Sequence, residues 1–149
     1  MKICRLKKEE IEEVLKIIKN NYPKIDKKHP RGEILEMFGD ALIKPKYLVV
    51  KEKSKIIGIA GYMQSYEDYN IYELFWVNVK KEFQGKGIGT ELVNQIIKEI
   101  KKLKGEYKKA LLIELSVTDA KSRFYKKFGF KVIKRLRKKD CIMALQLTK

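Results

Sequence analysis

Apolar residues alternate with polar ones along some stretches of the chain and recur every three or four positions along others. Alternation indicates β-strands, and the longer period indicates helices with one buried face. The predicted strands are Lys2–Leu6, Tyr47–Glu52, Ile56–Gln64, Tyr72–Val79, Ala110–Val117, Phe130–Arg137 and Cys141–Leu147. Four helices are predicted. The first has the apolar stripe Ile11–Ile18 and ends near Asn20–Pro23, and the second contains Ile34, Leu35, Phe38 and Leu42. The third is Gly87–Leu103 and the fourth is Asp119–Lys127.

Prolines, glycines and short polar runs mark the predicted breaks. Tyr22–Gly32 contains two prolines and is predicted to be a loop, and Pro45 ends the second helix. A tight turn at Lys53–Lys55 joins two strands into a hairpin, and Thr118 or Asp119 caps the last helix, which Gly129 ends. With 149 residues and no linker, the chain is predicted to form one domain over residues 1–149.

The most informative stretch is Gln84–Thr90, where a predicted strand, a glycine-rich turn and a long predicted helix meet. Gly85, Gly87 and Gly89 allow backbone angles that side chains disfavour and let a ligand approach the backbone closely. The first turn of the helix also presents unpaired N–H groups at the positive end of the helix dipole. The stretch therefore predicts a site for a phosphate or another anion, the alternative being a turn without a ligand.

Two common phosphate-binding motifs do not fit this turn. The phosphate loop of nucleoside triphosphatases requires Gly-x-x-x-x-Gly-Lys followed by Ser or Thr, and the chain has no such sequence there. The dinucleotide-binding motif requires Gly-x-Gly-x-x-Gly after an early strand. Here the spacing is Gly-x-Gly-x-Gly, and it lies past the middle of the chain.

The turn instead resembles the acetyl-CoA loop of the GNAT superfamily of N-acetyltransferases, Gln/Arg-x-x-Gly-x-Gly/Ala, with Gln84, Gly87 and Gly89 at the defining positions. The run Phe124–Phe130 also matches the family's Tyr-x-x-x-Gly-Phe segment, and the order of elements matches over nearly the whole chain. The resemblance implies an α/β (α+β) fold. This GNAT-type fold has a mixed, mostly antiparallel central sheet of about seven strands with helices on both faces. The order of elements along the chain is β-α-α-β-β-β-α-β-α-β-β.

The resemblance also implies that the protein transfers an acetyl group from acetyl-CoA (coenzyme A) to a primary amine, by direct attack in a ternary complex. The implied cofactor-binding residues are Val77, Asn78, Val79, Gln84, Gly85, Lys86, Gly87, Ile88, Gly89, Thr90 and Thr118. Thr118 and Lys121 stand where many members carry Asn and Ala, which weakens the assignment of Thr118. The backbone of Val79 is expected to face the pantetheine arm and the thioester oxygen, where an N–H group would stabilise the oxyanion.

Two residues are implied to be catalytic. Glu73, six residues before Val79, occupies the position of the general base in histone-acetyltransferase members; the alternatives are a solvated or lysine-paired glutamate, with a water chain as the base. Tyr125 matches the tyrosine beside the CoA sulfur, where its hydroxyl could protonate the leaving thiolate. The alternative for Tyr125 is a ring that packs only in the core.

The formal net charge is +16, from 35 Lys and Arg against 19 Asp and Glu. Such a charge favours interaction with anions, including CoA, nucleic acid or acidic surfaces. The alternative is a Lys- and Glu-rich surface of the kind found in heat-stable proteins. Gly58–Val79 nevertheless contains no Lys or Arg. It holds Glu67, Asp68 and Glu73, with Tyr62, Tyr66, Tyr69 and Tyr72 among them, and predicts an acidic, aromatic mouth for a cationic amine.

Glu67, Asp68 and Tyr69 are the predicted substrate-binding residues of this mouth. The alternative is that buried strands simply lack lysine. Cys4, Cys141 and the lone His29 have no metal-ligand spacing, so no metal is expected, and the cysteines suggest a reducing cytoplasm. No signal peptide and no membrane-spanning run are expected.

A second hypothesis is a non-catalytic module on the same fold, which would bind RNA or a ribosomal surface through Lys101–Lys109 and Lys131–Lys139. Those segments have few aromatic residues beyond Tyr107 and no recognised RNA-binding motif. The identity of the acceptor amine and the presence of a homodimer stay open.

Overall fold

The computed structural model describes residues 1–103 and 110–147. Within these residues the chain forms seven strands and four α-helices, so the predicted mixed α/β fold with a seven-stranded sheet is confirmed. The strands are β1 (Lys2–Arg5), β2 (Lys46–Glu52), β3 (Lys55–Gln64), β4 (Ile71–Val79), β5 (Leu112–Thr118), β6 (Lys131–Arg137) and β7 (Asp140–Gln146). The helices are α1 (Ile11–Asn21), α2 (Lys28–Leu35), α3 (Ile88–Lys101) and α4 (Asp119–Lys126).

The strands are hydrogen-bonded in the order β1-β2-β3-β4-β5-β7-β6. The pairs β1–β2, β2–β3, β5–β7 and β6–β7 are antiparallel. β4 and β5 are parallel, with Ile71–Glu73 opposite Leu112–Glu114. The chain divides into two compact units, Met1–Met63 with Trp76–Ile96 and Gln64–Phe75 with Ile97–Lys149. The expectation of a single domain over residues 1–149 stays a prediction.

The core of the first unit consists of the buried apolar face of α1 and the buried apolar residues of β2 and β3. Tyr47–Val50 and Ile56–Ala60 contain no exposed residue, which is the pattern of strands covered on both faces. The hairpin between these strands turns at Lys53 and Ser54, which both have positive φ angles (49° and 66°). Two successive residues of this kind give the turn the twist that antiparallel strands require.

The core of the second unit combines the first part of β4 (residues 71–75), β5 and β7 with the segment after α4. Ile113, Cys141 and Met143 are fully buried, and Phe130 is 1% exposed. In contrast, every residue of β6 is exposed. β6 is the last strand in the sheet order, and an edge strand rich in lysine and arginine is a common protection against unwanted strand pairing.

The bounds predicted for the second helix and the loop before it were wrong. Helix α2 begins at Lys28, inside the predicted loop, with Pro30 in its first turn. Proline is tolerated there because the N–H it lacks would have no partner within the helix. The helix ends at Leu35 and continues as a 3-10 turn over Glu36–Phe38, while Leu42 lies beyond it and is 86% exposed.

Candidate active site

The glycine-rich turn has the conformation that its sequence predicts. Gly85 and Gly87 have φ angles of +75° and +85°, a region that side chains rarely occupy. A Cβ atom built on either residue would meet no atom within 4 Å, so the space above the turn is open. The carbonyl of Gly87 accepts the N–H of Glu91 at 3.0 Å, which opens helix α3 directly after the turn.

This arrangement fits the diphosphate of a cofactor. Gln84, Gly85, Lys86 and Gly87 are exposed, whereas the side chain of Ile88 is 2% exposed and anchors the start of α3. The first N–H groups of an α-helix have no partner within the helix, and the helix dipole adds partial positive charge there. Gly89 and Thr90 complete this first turn, and Lys86 adds a full positive charge beside it.

The side chain of Gln84 braces the turn against the end of β4. Its Nε2 atom donates to the carbonyl of Val79 at 2.9 Å and to Oδ1 of Asn21 at 3.3 Å. Asn21 also donates to the carbonyl of Val79 and to Oδ1 of Asn78, both at 3.0 Å. The carbonyl of Val79 therefore accepts two side-chain amides, and the expected contact of Val79 with a cofactor depends on its N–H group.

Of the predicted cofactor residues at the end of β4, Asn78 is 4% exposed, with its side chain turned towards Asn21. Val77 is half-buried beside it. Trp76, just before these residues, has a φ angle of +51°, and its Nε1 atom donates to the carboxylate of Glu33 in α2. This positive φ in the middle of a strand was not foreseen, because tryptophan carries no local signal for it.

Asn21 was also missed, although the sequence contains a signal for it. It follows Ile17 and Ile18 by four and three residues, so it continues the buried stripe of α1. A polar residue on a buried face needs hydrogen-bond partners, and the partners of Asn21 lie far along the chain. Without the fold, nothing indicates that those partners are Val79, Asn78 and Gln84.

Three carboxylates interact in the second unit. Glu73 lies directly opposite Glu114 in the β4–β5 pairing. Burial raises the pKa of Glu73 above its ordinary value, and the nearby charges of Glu114 and Glu67 raise it further. Burial and Glu67 likewise raise the pKa of Glu114. A base with a raised pKa is better matched to proton transfer near neutral pH than an ordinary glutamate.

The predicted substrate residues lie in a compact turn between β3 and β4. Oδ1 of Asp68 accepts the N–H of Asn70 at 2.8 Å, and the carbonyl of Asp68 accepts the N–H of Ile71 at 2.9 Å. The carbonyl of Tyr69 accepts Nε2 of Gln64 at 2.8 Å. Glu67 is exposed in the same turn. Asp68 thus holds the backbone while its carboxylate stays exposed.

The aromatic part of the predicted mouth needs a correction. Tyr66 and Tyr69 are 64% and 39% exposed, but Tyr62 and Tyr72 are 2% and 4% exposed. These two residues are on strands, at positions that face the core, and burial raises the pKa of Tyr72. Of these four tyrosines, only Tyr66 and Tyr69 are exposed.

Tyr125 is half-buried in a cluster of aromatic rings. Its ring centroid lies 4.9 Å from that of Phe124 and 5.9 Å from that of Phe130, and both pairs meet edge to face. Gly129 is required beside this cluster, because its φ angle is +99° and an added Cβ would lie 3.1 Å from Leu145. These contacts fix the direction of the Tyr125 side chain.

Thr118 is exposed at the end of β5, directly before α4. It stands at the N-cap position, but its side chain makes no capping hydrogen bond. Asp119 is held instead through its N–H, which donates to the carbonyl of Lys139 at 2.8 Å, and through an ion pair with Arg135. The hydroxyl of Thr118 is therefore not committed to capping the helix.

Among residues 1–103 and 110–147, no group of three or more His, Cys, Asp or Glu side chains is arranged to hold a metal ion. In the same part of the chain, no helix combines the length and the apolar character needed to cross a bilayer. Cys4 and Cys141 are free thiols. Of the two predicted basic segments, residues 104–109, with Tyr107, lie outside the described residues, whereas Lys131–Lys139 is exposed throughout.

The sequence of residues 44–132 matches the family model for the acetyltransferase (GNAT) domain. The chain belongs to the GNAT acetyltransferase family. It is thus an acetyl-CoA-dependent N-acetyltransferase, and the predicted family, acetyltransferase activity and cofactor are confirmed. The matched range contains β2 to β5, the glycine-rich turn, α3 and α4. Among curated proteins, no significant match was found.

Solved structures share the fold over nearly their full length. The PaiA N-acetyltransferase from Thermoplasma acidophilum, in complex with coenzyme A, is 25% identical, with a TM-score of 0.74 over 97% of this chain and 98% of that one. An aminoglycoside 6'-N-acetyltransferase complexed with coenzyme A is 18% identical, with a TM-score of 0.82 over 100% and 98%. The enzyme of that name from Enterococcus faecium is 18% identical, with a TM-score of 0.80 over 100% and 98%. At 18% identity the likeness concerns the fold alone.

Proposed function

We propose that this GNAT enzyme acetylates a cationic primary amine by direct attack on acetyl-CoA in a ternary complex, in the cytoplasm. Acetyl-CoA, when bound, supplies an activated acetyl thioester. The amine nitrogen forms the new N–C bond, the C–S bond breaks, and the amine loses a proton while the thiolate gains one. An alkylamine with a pKa of about 10.4 is almost fully protonated at neutral pH, so a base is required.

The environments of three residues support the roles proposed for them. Glu73, with its raised pKa, accepts the proton from the ammonium group. The N–H group of Val79 stabilises the oxyanion, since its carbonyl is already bonded to Asn21 and Gln84. The hydroxyl of Tyr125, whose ring is held by Phe124 and Phe130, protonates the leaving thiolate.

Glu67, Asp68 and Tyr69 are proposed to attract the cationic acceptor. The carboxylates supply negative charge, and the exposed ring of Tyr69 offers a face for cation–π contact. The aminoglycoside enzymes that share the fold are named for an amine-bearing substrate, which supports an amine acceptor here. The free thiols of Cys4 and Cys141 support a reducing compartment.

The observation that carries the proposal is the exposed turn at Gly85 and Gly87, which has positive φ angles and open space at both Cβ positions and lies directly before α3. Among the described residues, nothing comparable favours a module that binds only RNA, because β6 carries cations without an aromatic residue on which a base could stack. Nucleic acid and a second copy of the chain are not part of the proposed mechanism.

The test is a screen of amines for thiol release from acetyl-CoA, followed by initial rates with both substrates varied. Direct attack predicts intersecting double-reciprocal lines, whereas parallel lines would indicate an acetylated enzyme and contradict the proposal. A calorimetric titration with CoA serves as the independent check of cofactor binding. A protein that shows no heat with CoA but retains RNA in a salt-sensitive way would be the non-catalytic module.

Replacing Tyr125 tests the proposed acid. Tyr125→Phe keeps the ring contacts with Phe124 and Phe130 and removes the hydroxyl, so we expect turnover to fall by about tenfold or more. The affinity for acetyl-CoA should stay within a few-fold. Tyr22→Phe, the same change at an exposed tyrosine, is the matched control. Unchanged turnover in Tyr125→Phe would remove this residue from the mechanism.

A further inference from the structure

Asn21 is the last residue of α1, and its side chain links three separate parts of the first unit. The phase of α1 is set by its buried residues, among them Val14, Leu15 and Ile18, which are all fully buried. Asn21 is on the same face, one turn after Ile18. The N–H of Tyr22 donates to the carbonyl of Ile18 at 2.9 Å, so the helix stays regular up to Asn21.

Both the nitrogen and the oxygen of the Asn21 amide have hydrogen-bond partners. Its Nδ2 atom donates to the carbonyl of Val79 and to Oδ1 of Asn78, each at 3.0 Å, and its Oδ1 accepts Nε2 of Gln84 at 3.3 Å. A backbone carbonyl only accepts hydrogen bonds, so both amides that reach Val79 must present their nitrogens to it. The orientation of Asn21 is therefore set by its partners.

The carbonyl of Val79 has two lone pairs, and both have a donor. One is Nδ2 of Asn21, and the other is Nε2 of Gln84 at 2.9 Å. Gln84 is the residue that enters the glycine-rich turn, and Val79 is the last residue of β4. The distance between the strand end and the turn is thus maintained by two side chains that meet at one oxygen atom.

We propose that Asn21 is a positioning residue for acetyl-CoA, which holds the end of β4 and the glycine-rich turn in the arrangement that binds the cofactor. It acts through Val79 and Gln84 and touches no reacting atom. The inference rests on the proposed role of the turn in cofactor binding. The physical basis of the proposal is that a turn with two glycines in the left-handed region is intrinsically flexible. Side-chain hydrogen bonds from neighbouring residues must therefore hold it in the conformation that binds the cofactor.

The alternative is that Asn21 only satisfies the buried polar group of Asn78, which is 4% exposed. A purely structural residue would alter stability without a selective effect on one substrate. Removing the donor distinguishes the two roles, because only a positioning role weakens cofactor binding while leaving the KM of the amine unchanged.

The experiment measures the calorimetric Kd of CoA, the KM of the amine and the Tm for Asn21→Leu, which has a similar size but no donor. We expect the Kd of CoA to rise by about tenfold, as the loss of one or two net hydrogen bonds would give. The KM of the amine should stay within about twofold. An unchanged Kd for CoA in a folded Asn21→Leu protein would overturn the proposal.

Two controls separate positioning from loss of stability. Val14→Ala lies on the same helix, is fully buried and lowers the Tm without touching the turn, so its Kd for CoA should match that of the parent. Asn20→Ala removes an exposed amide next in sequence and should change neither quantity. If Val14→Ala weakened CoA binding as much as Asn21→Leu, the effect would be one of stability and the proposal would be wrong.

A double-mutant cycle of CoA affinity with Gln84→Ala tests whether Asn21 acts through the carbonyl of Val79. It can be carried out even if Asn21→Leu does not fold. Gln84 is exposed, so its truncation is expected to leave the fold intact. With the milder Asn21→Ser, the losses in CoA affinity should be less than additive, because both side chains act on the same carbonyl. Full additivity would contradict a shared route. A parent that binds no CoA would refute the proposed function instead of the role of Asn21.

Discussion

Among single residues, the pair formed by Glu73 and Glu114 is the least expected feature. Strand pairing places two carboxylates opposite each other, and Glu67 adds a third negative charge. Like charges that face each other across a pair of strands are destabilising, so this arrangement costs stability. It also raises the pKa of the proposed base, which is the property that proton abstraction from an ammonium group requires.

Removing Glu114 should therefore alter both activity and stability. In Glu114→Gln one like charge beside Glu73 is lost, so the pKa of Glu73 falls and the acid limb of the kcat/KM profile moves to lower pH. Because folding raises the pKa of both carboxyls, their effect on stability is unfavourable once pH rises above the ordinary glutamate pKa of about 4.3. We expect the Tm of the variant to exceed that of the parent at neutral pH and to approach it in acid.

Glu36→Gln, at an exposed glutamate in the 3-10 turn after α2, is the control for a change of one charge. Its acid limb should coincide with that of the parent. A pH profile of Glu114→Gln that also coincides with the parent would show that Glu73 does not govern the acid limb.

Among the helices and strands, α3 packs close to β3 because residue 58 is glycine. A Cβ atom at Gly58 would lie 3.1 Å from Cγ2 of Ile88 and 3.2 Å from Cδ1 of Leu92. Both residues are on the buried face of α3, and Ile88 is in its first turn. The position of the helix start, and thus of the proposed diphosphate site, depends on the absence of a side chain at Gly58.

Gly58→Val should accordingly lower the free energy of unfolding by about 1–3 kcal/mol, the usual cost of overpacking a core. It should also raise the Kd of CoA, because the start of α3 must shift to make room. Chemical denaturation and calorimetry measure the two effects. Gly32→Ala is the matched control, since a Cβ there meets nothing within 4 Å and alanine favours the helix; we expect that variant to be equally or more stable. A Gly58→Val protein as stable as the parent would show that β3 and α3 have room for a larger side chain.

Over the molecule as a whole, charge is distributed unevenly along a strongly basic chain. The net charge is +16, yet Gly58–Val79 has no Lys or Arg and contains Glu67, Asp68 and Glu73. A basic protein repels cationic amines at long range, and the carboxylates of the proposed substrate-binding residues would attract such amines at short range. Acetyl-CoA is anionic and is attracted by the positive net charge. The two substrates therefore require electrostatic potentials of opposite sign.

Neutralising Glu67 and Asp68, in the turn between β3 and β4, should separate the effect of local charge on the amine from the effect of net charge on acetyl-CoA. For Glu67→Gln combined with Asp68→Asn, we expect the KM of the amine to rise by several-fold and that of acetyl-CoA to stay unchanged. The turn should survive, because an asparagine oxygen can still accept the N–H of Asn70 as Asp68 does. The effect should shrink at high salt. Glu9→Gln with Glu36→Gln makes the same change of charge at two exposed sites, and an equal response there would mean that only net charge matters.

The order of the elements and the conformation of the glycine-rich turn could be predicted from local sequence. The spacing of apolar residues can be read from a short stretch of sequence. It therefore predicts the helices α1 and α3, which have one apolar face, and the strands β2 and β3, which contain continuous apolar runs. The glycines at 85 and 87 are also a local signal, since their backbone angles are needed whatever lies around them. Local signals were weakest between Tyr22 and Leu42, where a proline at the start of a helix looked like part of a loop.

Which side chains meet could not be predicted, because it depends on the folded chain. The bond from Asn21 to Val79 joins residues 58 positions apart, and nothing in either neighbourhood of the sequence indicates the partner. The same holds for Glu73 opposite Glu114, because the pairing of two parallel strands depends on their register. Burial of Tyr62 and Tyr72 also depends on which face of a strand meets the core. Local sequence therefore specified the conformation of the proposed cofactor-binding turn. Folding specified the groups that hold this turn and set the proton affinity of the proposed base.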